Sequence, residues 1–314
     1  MTDARPTGVV EGVPLLDLSH VASEDDLDFL SSIEKVAVVV VPEHLVAALH
    51  RIPMRKVASI VAVPQGANVR MHTGSLMVGG EGLAEPGGDN EVLVVTGALI
   101  VTSPVTSVGY RQIVVTGLVL APRGSESALG SGLTSVTGGV VYYRYAEGQE
   151  LRQYSGTVKV SGATLANQGG TPDDVLVAAG QLIVTGPVTE VGYQQIVLAG
   201  QLLAPRDSEA SIAPALMVQG QVAWYSGDPR FLVGDETYGR AFFEMLDGPQ
   251  ELAILGDVTI EDDGLTPELL REKISDLTLV GRLTAPKALV PAFQVLATEK
   301  LGEIRASDGG TEPR

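Results

Sequence analysis

Val92–Leu129, with the sequence VLVVTGALIVTSPVTSVGYRQIVVTGLVLAPRGSESAL, occurs twice in the chain. Aligned with Val175–Ile212 at a constant offset of 83, it is identical at 24 of 38 positions. Such agreement inside one chain indicates a duplicated structural unit. The flanking match of Arg70-x-x-x-Gly74 with Arg152-x-x-x-Gly156 extends the repeated unit to about 82 residues.

A finer period lies inside each unit. Glycines followed by apolar residues recur at spacings of 17 to 24, at Gly80, Gly97, Gly117 and Gly138 and again at Gly162, Gly180, Gly200 and Gly220. A strand-turn-strand rung of about 20 residues is the size of one coil of a parallel β-solenoid or of a leucine-rich repeat. The fixed Asn of the leucine-rich consensus is missing, which favours a mainly β fold built as a parallel β-solenoid.

A second pattern extends the repeat to the chain ends. A strand followed by [AV]-P-[EKR] recurs at Pro42, Pro122, Pro205 and Pro286, with spacings of 80, 83 and 81. We therefore expect four quarter-units of about 82 residues, with short helices in the outer quarters acting as caps over the solenoid ends. The predicted helices are Ser23–Ile33, Glu43–His50, Asp235–Leu246, Thr266–Ile274 and Lys287–Val295.

These patterns predict the following domain organisation. Residues 1–22 form a tail and lead-in, 23–66 an α/β cap, 67–148 the first solenoid repeat, 149–232 the second, 233–305 a second α/β cap, and 306–314 a disordered tail.

Composition excludes several classes of function. The formal net charge of −17 opposes binding to nucleic acid, whose phosphate backbone repels an acidic chain. The chain has no cysteine, so thiolate metal sites and cysteine catalysis are excluded. The first 21 residues lack the features of a signal peptide, and the longest apolar run, Val36–Val41, is too short to span a bilayer. We expect a cytoplasmic protein without membrane insertion.

No catalytic or metal-binding motif emerges. His44 and His50 are six residues apart, which is not the spacing of two ligands on one helical face. The acidic clusters Glu24–Asp26 and Glu261–Asp263 could hold a cation, but both lie beside the start of a predicted helix, where carboxylates favour the positive end of the helix dipole. We therefore predict no catalytic residues, no metal and no cofactor.

The motif P-R-x-S-E occurs at the same corner of both repeats. It places Arg123 and Glu126 in one unit and Arg206 and Glu209 in the other. The main interpretation is a structural one, a surface ladder of ion pairs, and the alternative is a site for a small anionic ligand.

Two aromatic pairs are the best candidate binding residues: Tyr142 with Tyr143, and Trp224 with Tyr225. Neighbouring strand residues point to opposite faces, so one ring of each pair should face outward. Outward rings could stack on a sugar or form a partner surface, whereas rings that cover the core are equally compatible with the pattern.

The glycine-punctuated rungs of Val92–Val141 and Val175–Val222 resemble those of bactofilins, bacterial cytoskeletal proteins that form parallel β-solenoids and polymerise. The resemblance implies a parallel β-solenoid architecture. The regular repeats and the lack of a catalytic constellation predict a non-enzymatic structural or scaffold protein that binds copies of itself or a protein partner. Two alternatives stay open: a β-helix protein that binds or cleaves polysaccharide, and a partner-binding module like leucine-rich proteins. We expect a homo-oligomer, in its simplest form a two-fold dimer.

Overall fold

A computed structural model describes residues 8–85, 90–261 and 264–307. The chain divides into two compact units, Met1–Gly148 and Gln149–Arg314, which we describe separately. The predicted tails fall partly outside the described residues, as do Asp262 and Asp263 of the second acidic cluster.

The first unit contains twelve described strands and three short α-helices. The strands are β1 Gly8–Glu11, β2 Leu15–Asp17, β3 Leu30–Glu34, β4 Val38–Pro42, β5 Met54–Arg55, β6 Ser59–Val63, β7 Asn68–Val78, β8 Glu91–Val101, β9 Gln112–Val115, β10 Leu118–Pro122, β11 Leu133–Val136 and β12 Gly139–Tyr143. The helices are α1 Val46–Leu49, α2 Gly80–Ala84 and α3 Glu126–Gly132, with 3-10 turns at Glu24–Leu27 and Glu43–Leu45.

The second unit contains ten described strands and four α-helices. The strands are β13 Leu151–Ser161, β14 Val175–Thr185, β15 Gln195–Pro205, β16 Leu216–Tyr225, β17 Arg230–Val233, β18 Glu236–Tyr238, β19 Gln250–Ile260, β20 Ile274–Ala285, β21 Ala297–Lys300 and β22 Glu303–Ala306. The helices are α4 Glu209–Ile212, α5 Arg240–Glu244, α6 Pro267–Lys273 and α7 Val290–Leu296, with 3-10 turns at Gly162–Ala166, Arg206–Ser208 and Ala213–Ala215.

All strand pairs in the described residues are parallel, and within a sheet the long strands pair with the next long strand along the chain. The order in the second unit is β13-β14-β15-β16, and the 11-residue strands β13 and β14 pair in register along their whole length. In the first unit, β7 pairs with β8 in the same way, and β8 then pairs with both β9 and β10. The prediction of a mainly β chain with parallel strands is confirmed.

Glycines stack in columns across these sheets. In the second unit Gly156, Gly180, Gly200 and Gly220 occupy matching positions in β13 to β16. Gly180 and Gly200 have φ values of +120° and +145°, which bend each long strand at its middle. A Cβ atom at Gly200 would overlap the carbonyl oxygen of Gly180. Only glycine satisfies both requirements, the positive φ and the close approach of backbones.

The bent strands β8, β14 and β15 are buried on both faces over most of their length. In β8, Leu93 and Val95 belong to the core that α2 and α3 cover, whereas Val92 and Val94 face the opposite way and pack against Val38 and Val40 of β4. Strands with two buried faces need continuous apolar sequence rather than alternation, as in β4 and β8. Burial in two cores, an inner one under helices α2 and α3 and an outer one against β4, therefore explains the Val-rich runs of the repeat.

Several local predictions are wrong. The helix expected at Ser23–Ile33 is only the 3-10 turn Glu24–Leu27, because Leu30–Glu34 pairs as β3 with β1. Strands β1 and β2 lie inside the predicted lead-in. Helices are not confined to the outer quarters, since α2, α3 and α4 connect strands of the two central repeats.

Gly97→Ala should lower the free energy of unfolding by about 3 kcal/mol or more, because it combines an unfavourable φ of +145° with overlap on the Gly74 carbonyl oxygen. The matched control is Gly130→Ala in helix α3, where a Cβ meets nothing within 4 Å. That substitution should be neutral or stabilise by about 0.5–1 kcal/mol. Chemical denaturation measures both, and equal stabilities for the two variants would contradict the stacking role.

Candidate functional site

Tyr143 and Tyr225 are buried, at 0% and 3% exposure, so neither forms a binding surface. The Tyr143 hydroxyl donates a hydrogen bond to the Val101 carbonyl at 2.7 Å. The Tyr225 hydroxyl donates in the same way to the Val184 carbonyl at 2.9 Å. The two tyrosines therefore make equivalent internal hydrogen bonds, one in each unit, that cross one strand: from β12 to the end of β8 and from β16 to the end of β14.

The other two aromatic residues are half-buried. Tyr142 packs against the inner core of the first unit, and Trp224 packs against that of the second. The Trp224 carbonyl accepts a hydrogen bond from the Arg206 guanidinium, which also pairs with Glu299 at 2.8 Å. The carboxylate nearest to Trp224 in these contacts is thus neutralised by an arginine, an arrangement that does not favour carboxylate-based sugar chemistry there.

The predicted ion-pair ladder at P-R-x-S-E is wrong. Among the ion pairs of the described residues, none joins Arg123 to Glu126 or Arg206 to Glu209. The Glu126 carboxylate instead accepts the backbone N–H of Gly124 at 2.6 Å, at the start of α3, and Glu209 begins α4.

The serine of this motif has the structural role. Ser125 and Ser208 are 0% and 1% exposed, and their hydroxyls accept the backbone N–H of Val105 and Val188, both at distances of 2.8–2.9 Å. A buried N–H without a partner is costly, so each serine hydroxyl stabilises the loop that contains Val105 or Val188. Sequence reasoning weighted the charged residues of the motif and missed the serine.

A ladder of amides follows the glycine column of the second unit. Gln181 donates to Gln201 at 2.8 Å, Gln201 donates to Gln221 at 3.2 Å, and the Thr157 hydroxyl donates to Gln181 at 3.0 Å. Each glutamine directly follows a column glycine. The dipeptide Gly-Gln at intervals of 20 residues was therefore the sequence signal for this feature, which our sequence analysis did not use.

The ladder ends at an exposed strand. β16 is the last strand of its sheet, and Val218, Gln219, Gly220 and Gln221 are exposed along it, Val218 by 40%. The ten residues of β16 include neither a charged residue nor a proline. Such an edge offers unpaired backbone groups to another strand.

The histidines make local contacts. Ring nitrogens of His44, His50 and His72 lie within 3.2 Å of the backbone carbonyls of Ala22, Val46 and Ser75. Glu24 of the first acidic cluster pairs with Arg51, and Asp26 binds the hydroxyl and N–H of Ser23. No group of three or more His, Asp or Glu side chains is arranged to hold a metal ion in the described ranges.

In residues 8–85, 90–261 and 264–307, no helix combines the length and apolar character needed to cross a bilayer. Comparison with protein-family models, curated proteins and solved structures finds no match. We therefore infer the function from the residues of this chain.

Tyr143→Phe tests the internal hydrogen bond. Loss of the hydroxyl leaves the Val101 carbonyl without this donor, which should cost about 1 kcal/mol at neutral pH. Burial raises the pKa of Tyr143 well above its usual range. Because an unfolded tyrosine loses its proton near pH ~10, the free energy of unfolding should fall as pH rises above that value, and the variant should show a smaller fall.

The control is Tyr145→Phe, at a tyrosine that is 37% exposed. Denaturation at pH 7 and at several pH values above 10 measures both effects. If Tyr143→Phe and Tyr145→Phe behave alike, the buried hydrogen bond contributes nothing to stability.

Proposed function

We propose that the protein is a non-enzymatic scaffold of the parallel β-solenoid type that assembles with further copies of itself. The solenoid assignment is supported by strand levels that recur every 20 to 24 residues from β13 to β16, each pairing in parallel with the next. The observation that carries the self-assembly is the exposed, uncharged edge of β16.

Natural sheets protect such edges with lysine, proline or bulges. Over Val218–Gln221, where β16 is exposed, it carries no lysine, proline or bulge and pairs in regular register with β15. An unprotected edge that keeps its regular geometry is suited to accept another strand.

The glycine column gives this edge a direction. Each column glycine lies over the carbonyl oxygen of the glycine before it, as Gly220 lies over Gly200. The direction of the column places the Gly220 carbonyl oxygen toward the next level, where only a glycine would fit. Gly156, the first glycine of the column, has nothing within 4 Å of its Cβ position.

The amide ladder has the same direction. The Gln221 amide can donate to the Thr157 hydroxyl oxygen of a second copy, since that hydroxyl uses its proton toward Gln181. We therefore favour β16 of one copy pairing in parallel with β13 of the next. This contact is head-to-tail and produces an open assembly rather than the two-fold dimer expected from sequence.

Val218→Lys places a charge on the β16 edge and should abolish self-association. Its control is Val295→Lys, which adds the same charge to helix α7 at a residue that is 74% exposed, and which should associate like the wild type. Sedimentation velocity over a range of protein concentrations measures the mass distribution. Association should strengthen as salt is raised, because salt screens the repulsion between chains of charge −17.

A wild-type protein that stays monomeric at every concentration and salt would refute the scaffold proposal. Association that survives Val218→Lys would keep self-assembly but exclude the β16 edge.

A further inference from the structure

Three arginines occupy the same place in successive parts of the chain. Arg70, Arg152 and Arg230 each lie four residues before a bend glycine, which is Gly74, Gly156 and Gly234 respectively. Each begins or nearly begins the first strand of its sheet, on β7, β13 and β17. Their surroundings differ, and the difference distinguishes Arg152.

In the first unit the arginine is neutralised. The Arg70 Nε lies 2.9 Å from an oxygen of Glu91, whose side chain is 2% exposed. The other Glu91 oxygen accepts the Asn68 amide at 3.3 Å. A guanidinium beside a buried carboxylate has little remaining charge to offer a ligand.

In the second unit the equivalent acid is occupied elsewhere. Asp174 stands at the position of Glu91 in the repeat, with a side chain that is one methylene shorter. One of its oxygens accepts the Glu150 N–H at 3.0 Å and the Thr171 hydroxyl at 2.7 Å. The other accepts the Asn167 amide and the Thr171 N–H, both at 2.9 Å.

Four hydrogen bonds use the four acceptor positions of a carboxylate. Burial alone would raise the pKa of Asp174, but the bonds from Asn167, Glu150 and Thr171 outweigh burial and hold it well below its usual range. The Asp174 carboxylate is therefore ionised, and both of its oxygens accept hydrogen bonds from Glu150, Asn167 and Thr171. It has no acceptor position left for Arg152.

Arg152 is half-buried, and its guanidinium donates a hydrogen bond to the Tyr193 hydroxyl oxygen. It lines a cleft of about 280 Å³ together with Ser161, Ala163, Thr164 and Gln168, which we call the Arg152 cleft. Ion pairs within the described ranges do not include Arg152. Burial is the main influence on the Tyr193 pKa and raises it, while the charge and the hydrogen bond of Arg152 lower it in part. A guanidinium has five N–H donors, so the bond to Tyr193 leaves others for a ligand.

The lining consists of donors. A guanidinium supplies N–H groups in a fork, and the Gln168 amide supplies a further N–H. The hydroxyls of Ser161 and Thr164 hydrogen-bond to each other at 3.1 Å, which leaves one O–H of the pair to donate to a ligand. The cleft contrasts with the one at Arg230, which Asp228 and Glu251 also line and where the guanidinium stacks on Phe242 at 5.5 Å. Carboxylates at the Arg230 cleft oppose an anion, whereas none lines the Arg152 cleft.

We propose that the Arg152 cleft binds a small oxyanion, with the guanidinium contacting two oxygens of one phosphate or carboxylate group. The fork geometry of arginine matches two oxygens on a common centre. The volume lies just below the range of sites for drug-sized molecules, which restricts the ligand to a single group of this kind or to the end of a larger molecule. The overall charge of −17 disfavours binding of anions elsewhere on the chain.

Isothermal titration calorimetry and thermal unfolding of the full chain test the site with inorganic phosphate and, separately, with acetate. Sodium chloride at matched ionic strength is the reference. Wild-type protein should show saturable binding of one equivalent per chain with at least one of the two anions, and the responsive anion identifies the group. Arg152→Gln should weaken binding about tenfold or more, as loss of charge-assisted hydrogen bonds predicts.

Two further variants make the result specific. Gln168→Glu, at an exposed residue, places a carboxylate in the cleft and should abolish binding while the thermal unfolding of the anion-free protein stays close to that of the wild type. Arg70→Gln removes the arginine that Glu91 already neutralises and should bind the anion like the wild type. The proposal is overturned if neither anion binds saturably, if Arg152→Gln binds like the wild type, or if Arg70→Gln weakens binding equally.

Discussion

The close contact of glycine backbones at the strand bends is the constraint on which each sheet depends. The carbonyl oxygen of each glycine in a column lies against the Cα of the next glycine, as the Gly180 oxygen lies against Gly200. Because of this close contact, the long strands can bend and still pair on both sides of the bend. The bend gives each strand an inner face covered by helices and an outer face that packs on a neighbouring sheet of the same unit. Each long strand needs glycine at its bend, whereas the residue type at its other positions depends on local packing.

At the start of the chain, two bends are formed by lysine instead of glycine. Lys35 and Lys56 occupy the corresponding bends between β3 and β4 and between β5 and β6, with φ values of 53° and 54°. A left-handed residue other than glycine costs of order 1 kcal/mol. The arms are separate short strands here, and Lys35 is compensated in part by its ion pair with Glu11 at 2.6 Å. Glycine is thus required by the continuous 11-residue strands rather than by the change of direction itself.

The sequence was sufficient to predict the mainly β, parallel character, because Val92–Val95 and its repeat are continuous apolar runs bounded by periodic glycines. It was insufficient for the helices α2 to α4, since Gly80–Ala84 and Glu126–Gly132 are too short to show a helical period. At Leu30–Ile33 the pattern predicted a helix, but the residues form a strand because pairing with β1 outweighs the local helical preference. Side-chain roles were the least predictable: identical residues in two repeats drew attention to Arg123 and Arg206, while the buried hydrogen bonds belong to Ser125 and Ser208.

Duplication also explains how a chain held together by backbone stacking can acquire different surface chemistry in its two units. The glycine columns, the internal tyrosine hydrogen bonds and the serine–loop bonds recur in both, and together they maintain the bent sheet. The pair Arg70 and Glu91 lies outside these elements, at the end of the strands. In the second copy Asp174 stands at the position of Glu91 and accepts hydrogen bonds from Asn167 and Thr171, whereas Glu91 in the first copy pairs with Arg70. In this architecture, differences between the repeats are therefore more informative about function than their identities, since the identities mark what the stacked backbone requires.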